Sequence, residues 1–489
     1  MPNQQKSLPA SPGWVKDAVF YQVFPDRFRR GVSSPNLGVM EPWGATPTTH
    51  NFMGGTLRGI LEGLDHIQEL GCNALYLCPI FSSTANHRYH TNDYFRIDPL
   101  LGSEQDFDDL VNEVHHRKMW IILDGVFNHC SRGLYQFNSL LELGEESPFR
   151  DWFLVDSFPL RAYGDSPNYR CWWNLPALPK FNTANSQVRE FLWSVGEYWM
   201  KRGINGWRLD VPNEIDDDRF WQEFRKRVKA VNEEAYIVGE IWSEPSRWLA
   251  GDQFDGVMNY EARRAILETL FPDAMRRPEN LSTGEPEAVL HQGSAEYLQN
   301  QAARKLCNDL LHAFPHDRYG IPFNLLGSHD NMRMATLGKD WPEHQDLAWA
   351  LLCFLPGTVC IYQGDELGQE GGKDPDNRRC FPWQNLVALK KSARFQGLAE
   401  LIALRRRYAC LRHGSFGCRP DGNGVILWRE LGSERLELRI GYPGQVGLAP
   451  SREVVWDEIL SARTEGIPGL AGRMVNPGGW QIIRVKTSK

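Results

Sequence analysis

Eight times along this chain a short apolar run is followed by a stretch with helical spacing. The runs centre near residues 20, 76, 123, 208, 238, 258, 325 and 360. Most are near-continuous in aliphatic and aromatic residues rather than alternating. Strands buried on both faces read that way, and they belong to parallel sheets covered by helices. Leu57, Ile60, Leu61, Leu64 and Ile67 predict one helix over 57–70, closed by Gly71. Further helices are predicted over 106–118, 188–201, 219–231, 346–355 and 393–407. Eight strand–helix units predict an α/β fold of the closed (β/α)8 type, a TIM barrel. An open doubly wound sheet is the alternative, but no glycine-rich dinucleotide loop supports it.

The alternation is interrupted once and replaced once. Residues 130–182 are rich in aromatics and proline, among them Trp152, Trp172, Trp173, Pro176 and Pro179. A structureless loop of that length is rare, so this stretch is an inserted domain following the third strand. After about residue 414 the pattern turns to short alternating runs, 425–428 and 437–440, separated by turn residues. That predicts a C-terminal antiparallel β-sandwich. The expected division is a barrel from 1–129 and 183–413, an insert from 130–182 and a β domain from 414–489.

Composition narrows the function. A chain of 489 residues, 42% hydrophobic, is long enough for a barrel of about 250 residues with additions. The net charge of −7 argues against a nucleic-acid partner. Residues 1–12 lack the apolar run of a signal peptide, and no stretch reaches membrane-spanning length. Ten cysteines are scattered without any CxxC spacing, several inside apolar runs. They read as buried free thiols in a reducing compartment, which predicts a cytoplasmic protein. Eighteen tryptophans are many; most belong in a core, yet an exposed indole face also suits a sugar ring.

One strand carries charges it has no packing use for. Gly206-Trp-Arg-Leu-Asp-Val211 is apolar apart from Arg208 and Asp210, whose side chains point the same way. Burying such groups costs several kcal/mol unless they pair. A structural ion pair is one reading. The other is a carboxylate held ionised as a nucleophile. Other strand ends are polar too: Asp124 to His129 after the third, Glu240 after the fifth, His329-Asp330-Asn331 after the seventh. Barrel chemistry sits at that rim. Retaining glycoside hydrolysis needs one ionised carboxylate and one protonated carboxyl. Asp210, beside Arg208, is expected to stay ionised. Glu240, on the apolar run 236–239, is expected to keep its proton. Asp330 would grip hydroxyls, and His129 and His329 would donate hydrogen bonds near the developing charge.

These segments carry a resemblance. Asp124-Gly-Val-Phe-Asn-His129, Gly206-Trp-Arg-Leu-Asp-Val211, Gly239-Glu-Ile-Trp242 and Leu326-Gly-Ser-His-Asp-Asn331 occur in the order found in the α-amylase family of glycoside hydrolases. The resemblance covers roughly residues 14–489. It implies a barrel, a domain B after the third strand and a C-terminal β domain. It also implies Asp210 as nucleophile, Glu240 as general acid/base and Asp330 as transition-state stabiliser. Asp124, Arg208, His129 and His329 would belong to the subsite of the attacked sugar. The segment His87-Arg88-Tyr89 would contribute there as well, with Tyr89 stacking on the ring.

Leu178-Pro-Lys-Phe-Asn182, Val211-Pro-Asn-Glu-Ile215 and Asn86-His-Arg-Tyr-His-Thr91 are similar to the neopullulanase and cyclomaltodextrinase group. Its members cleave α-1,4 links in cyclodextrins and maltodextrins, and often α-1,6 links. The chain departs from that group by starting almost at its first barrel strand. The N-terminal β domain of the group would then be missing, as in a debranching enzyme lacking it. The cleft is expected to be open to long or branched chains, and any homodimer would use another surface. The implied partner is an α-glucan. A transglycosylase using the same intermediate, and a non-catalytic carbohydrate-binding module, are the competing readings. No cofactor is expected and no metal ligand is assigned. Asn128 lies where many family members place a calcium ligand, but Arg27-Phe-Arg-Arg30 replaces the acidic calcium loop after the first strand.

Overall fold

A strand that is apolar on both faces needs cover on both, and in the computed structural model the chain supplies it by closing a ring. The structure describes residues 11–32, 40–164, 166–277, 295–314, 320–421, 424–441, 455–461 and 480–486. The ring strands are β1 (Val19–Val23), β2 (Ala74–Leu77), β3 (Trp120–Gly125), β4 (Gly206–Leu209), β5 (Tyr236–Gly239), β6 (Gly256–Val257), β7 (Phe323–Leu325) and β8 (Thr358–Tyr362). They pair in parallel in the order β6-β5-β4-β3-β2-β1-β8-β7. A parallel bridge from Met258 to Phe323 joins the two ends. The expected eight-stranded barrel is therefore present.

Side chains alternate between two cores. Phe20, Tyr76, Ile122, Tyr236 and Phe323 fill the inside of the ring. Val19, Tyr21, Leu75, Ile121 and Leu209 point outward to the helices. Each such burial stabilises by about 1.5–3 kcal/mol. The principal helices are α1 (Leu57–Glu62), α2 (Leu64–Glu69), α3 (Glu104–His116), α4 (Ser186–Lys201), α5 (Asp218–Val231), α6 (Tyr260–Leu270), α7 (Ala295–Ala313), α8 (Pro342–Phe354), α9 (Ala393–Arg407) and α10 (Ala409–His413). Side-chain caps start several of them: Ser103 for α3, Asn185 for α4, Asp217 for α5 and Ser392 for α9. A cap of this kind contributes about 1 kcal/mol.

The single helix expected over 57–70 is two helices. They break at Gly63, where a Cβ would stand 2.5 Å from the Phe28 ring. Apolar residues keep their helical spacing on both sides of Gly63, so that spacing alone could not reveal the break.

Between β3 and α4 the insert has one helix of some length, Tyr135–Leu143, and mostly isolated bridges. His129 bridges to Lys180, and Cys171 to Pro179, so its base is tied to the end of β3. At the C-terminus, β9 (Ser415–Asp421), β10 (Gly424–Leu431), β11 (Glu434–Ile440), β12 (Val455–Ser461) and β13 (Trp480–Lys486) form one antiparallel sheet, ordered β9-β10-β11-β13-β12. The expected C-terminal antiparallel β domain is present, and α7 and α10 pack on its sheet. Phe416, Cys418, Val425 and Leu427 join the core that surrounds the barrel. All ten cysteines are free thiols, and all but Cys171 are buried. Among the described residues no helix is long and apolar enough to cross a membrane.

Candidate active site

The register of neighbouring strands brings the acids to one mouth of the barrel. Asp124 on β3 lies opposite Arg208 on β4. Asp210 follows β4, its N–H donating to the Gly125 carbonyl at 3.0 Å. Glu240 follows β5, its N–H donating to the Leu209 carbonyl at 3.0 Å. Asp330 sits in the turn after β7, its N–H donating to Ser328 Oγ at 3.1 Å.

Arg208 is the hub. Its Nη1 lies 2.8 Å from Asp124 Oδ1 and 3.0 Å from Asp210 Oδ1, and its Nη2 lies 2.9 Å from Glu240 Oε2. It is fully buried, with Asp124 1%, Glu240 4% and Asp210 8% exposed. One guanidinium thus compensates three carboxyls. Arginine suits this because its planar fork offers two donor edges at once.

The partners differ in what they have left to offer. Asp124 Oδ2 also accepts from Tyr76 Oη at 2.6 Å and from Tyr89 Oη at 2.8 Å. Asp124 thus positions both Arg208 and Tyr89 at the mouth of the barrel. Tyr89 lies parallel to His329, ring centroids 5.3 Å apart, and its hydroxyl contacts His329 Nε2. His87 takes the Tyr89 N–H on its Nδ1 at 3.1 Å and so shapes that turn. His129, 1% exposed, stacks on Trp172 with centroids 5.2 Å apart. Asp330, more open than the others, pairs with Arg378 Nη2 at 3.4 Å and lies 3.3 Å from His329 Nε2.

Burial governs the protonation of the pocket. It raises Asp210 well above the ordinary carboxylate range; Arg208 opposes this, while Glu240, Asp124 and Asp330 add to it. Burial also raises Glu240, again against Arg208 and with Asp330. Asp124 is pushed up to about 6. Burial pulls His329 well down and His129 down to about 3, so both rings are neutral.

Glu240 has more donors around it than its apolar run suggests. Glu240 accepts from the Val211 N–H at 3.1 Å and from Trp242 Nε1 at 3.2 Å, besides facing Arg208. Asp210 has Arg208 alone among these donors. Strand apolarity hid those two N–H groups.

Several groups that build the site carry no signal in the sequence. Tyr76 holds Asp124 from the barrel interior. Gln22 on β1 reaches His329 Nδ1 at 2.8 Å. Asn377 Nδ2 donates to the His329 carbonyl at 2.7 Å and to that of Asn331 at 2.9 Å, which fixes the Asp330 turn. Arg378 Nε donates to the His329 carbonyl at 2.8 Å.

A known architecture matches this arrangement across most of the chain. The catalytic-domain model of the alpha amylase family matches residues 22–412. The chain belongs to the α-amylase family. It is an α-amylase-family glycoside hydrolase, as the recurring motifs implied. A cyclomaltodextrinase from a Bacillus species is 40% identical over 408 residues, which are 83% of this chain and 68% of the relative. A cyclic α-maltosyl-(1→6)-maltose hydrolase from Arthrobacter globiformis superposes with a TM-score of 0.82 at 35% identity, covering 97% of this chain and all of that one. The debranching enzyme of Nostoc punctiforme superposes with a TM-score of 0.81 at 37% identity, covering 98% of each chain.

Among the described residues, the one cluster with metal-ligand spacing is Cys78, Asp124 and His329. It does not fit calcium, which takes six to eight oxygens. Asp124 is moreover committed to Arg208. Asn128 Oδ1 is buried without a partner, yet the turn after β1 is an ion network of Asp26 with Arg27 and Arg88.

Proposed function

We propose that this pocket hydrolyses α-glucosidic links of maltodextrins, cyclodextrins and branched glucans, with retention at the anomeric carbon. The observation that carries the reading is the sharing of Arg208 by Asp210 and Glu240, with Asp330 close enough to raise both. Asp210 attacks the anomeric carbon as Glu240 passes its proton to the departing glycosidic oxygen. A glycosyl ester on Asp210 results. Glu240, now a carboxylate, takes a proton from water, whose oxygen displaces Asp210 from the sugar. Two inversions amount to retention. Asp330 and the neutral His329 and His129 hold hydroxyls while the ring gains positive character. Tyr89 offers its face to the same ring. The names of the relatives, covering cyclic maltodextrins, α-1,6-linked cyclic maltose and debranching, support both α-1,4 and α-1,6 links as targets.

NMR of freshly released sugar from maltotriose, cyclodextrin and pullulan tests this. The first signal is expected from the α-anomer; a β-anomer appearing first would reject double displacement. The cationic turn after β1 also supports a chemistry without metal. Dialysis against EDTA is expected to leave kcat within about twofold; complete, calcium-reversible loss would contradict it. The buried thiols and the absence of disulfides support a reducing compartment such as the cytoplasm.

A further inference from the structure

Tryptophan is costly to leave in water and bulky for a left-handed backbone, yet Trp173 is placed in both conditions. It is 56% exposed, with φ +50 and ψ +30. Asn174 follows with φ +56. Asparagine tolerates that region; an aromatic residue there is an outlier that its surroundings must enforce. Such outliers cluster at ligand clamps.

The surroundings do enforce it. The Trp172 N–H donates to the Leu178 carbonyl at 3.0 Å, and the Leu175 N–H to the Trp172 carbonyl at 2.9 Å, closing the turn. The Cys130 N–H donates to the Pro179 carbonyl at 3.0 Å, anchoring the turn to the segment that carries His129. Lys180 Nζ donates to the Glu214 carbonyl at 2.7 Å, anchoring it to the loop that follows Asp210. The turn is thus fastened to both neighbouring rim segments.

The two indoles stack in series, starting from His129. Trp173 stacks on Trp172 with centroids 4.2 Å apart and planes 11° apart. Trp172 in turn lies nearly parallel to His129, 20° between planes. Trp172 is the one ring found against Trp173 among the described residues, and the strained turn gains little burial from it. Neither packing nor local backbone preference accounts for an aromatic residue here. A flat apolar face in line with a hydrogen-bonding pocket suits a pyranose ring, apolar on its faces and polar at its edge.

The geometry points to Trp173 as the stacking platform of a remote subsite, binding a glucosyl unit of the same α-glucan beyond the ring held by the acids. This rests on the α-glucan reading above and makes Trp173 a determinant of chain-length preference.

The test uses the whole chain with Trp173→Ala, Trp173→Gly and Trp173→Phe, assayed on maltotriose, maltoheptaose and p-nitrophenyl α-glucoside. Losing the platform is expected to raise KM for maltoheptaose about tenfold in the Ala and Gly variants, with kcat and the aryl glucoside within about twofold of wild type. Trp173→Phe is expected to restore most of the affinity. The thermal midpoint of Trp173→Gly is expected to equal or exceed that of wild type, because glycine adopts this backbone freely; a structural role would lower it. If wild type cleaves glucans and all three variants match it at every chain length, or lose equally on every substrate, the subsite is overturned alone. If wild type releases no sugar from any α-glucan, the parent reading falls and the subsite with it.

Discussion

Asp210→Asn is expected to lower kcat on maltodextrins by roughly 10⁴- to 10⁶-fold, the scale on which losing a nucleophile is felt. Binding should persist, because an amide keeps the shape of the carboxylate and Asp330, Tyr89 and the histidines are untouched. Titration with maltoheptaose, followed by tryptophan fluorescence, checks that half. Stability should move the other way. Burial lifts Asp210 above its unfolded pKa, so its contribution to folding is fully present only below that unfolded value. It is lost as pH rises through the folded value. Above that unfolded value the native chain therefore bears a net cost at Asp210, which Arg208 reduces. A neutral amide removes it, and the thermal midpoint is expected to hold or rise. An Asn variant that retains wild-type turnover would reject Asp210 as the nucleophile.

Arg208→Leu carries the largest expected loss of stability. It would leave three buried carboxyls facing one another with their common cation gone. Removing one partner of a buried pair costs about 3–5 kcal/mol. Chemical denaturation should read a drop of that order, together with lost turnover. Arg208→Lys keeps the charge but replaces a two-edged fork with one ammonium. It is expected to recover much of the fold and little of the rate. Its residual activity should have its acid limb shifted to higher pH, because Asp210 would be less well compensated. If the Leu variant unfolds like wild type, Arg208 is not the group that balances the acids.

The barrel is legible because physics acts locally on its parts. Strands buried on both faces must be apolar throughout, so runs such as 74–77 and 358–362 stand out. Helix starts are legible where a cap is present, as at Asp217 beneath the acidic triplet 216–218. What escapes notice depends on distant partners. Gly63 lets the Phe28 ring approach from thirty-five residues away, and Asp124 is held by Tyr76 and Tyr89. The alternation within β10 and β11 indicates one apolar face, but not which helices pack on the sheet. The acids themselves could be placed on one rim because a barrel puts every strand end there. The donors to Glu240 could not, because the Val211 N–H and Trp242 Nε1 come from a turn and a side chain without charge.

The ring is not hemmed evenly. β4, which leads into Asp210, is laced to β3 and β5 by several register pairs on each side. β6 is two residues long; it meets β7 through the bridge of Met258 with Phe323, the Asn259 N–H to the Phe323 carbonyl at 2.9 Å and the Asn259 side chain to that of Asn324 at 2.9 Å. Trp242, two residues past Glu240, rests on Tyr260 just beyond β6. More register pairs therefore hold the strand that leads into Asp210 than the two-residue strand beyond Glu240.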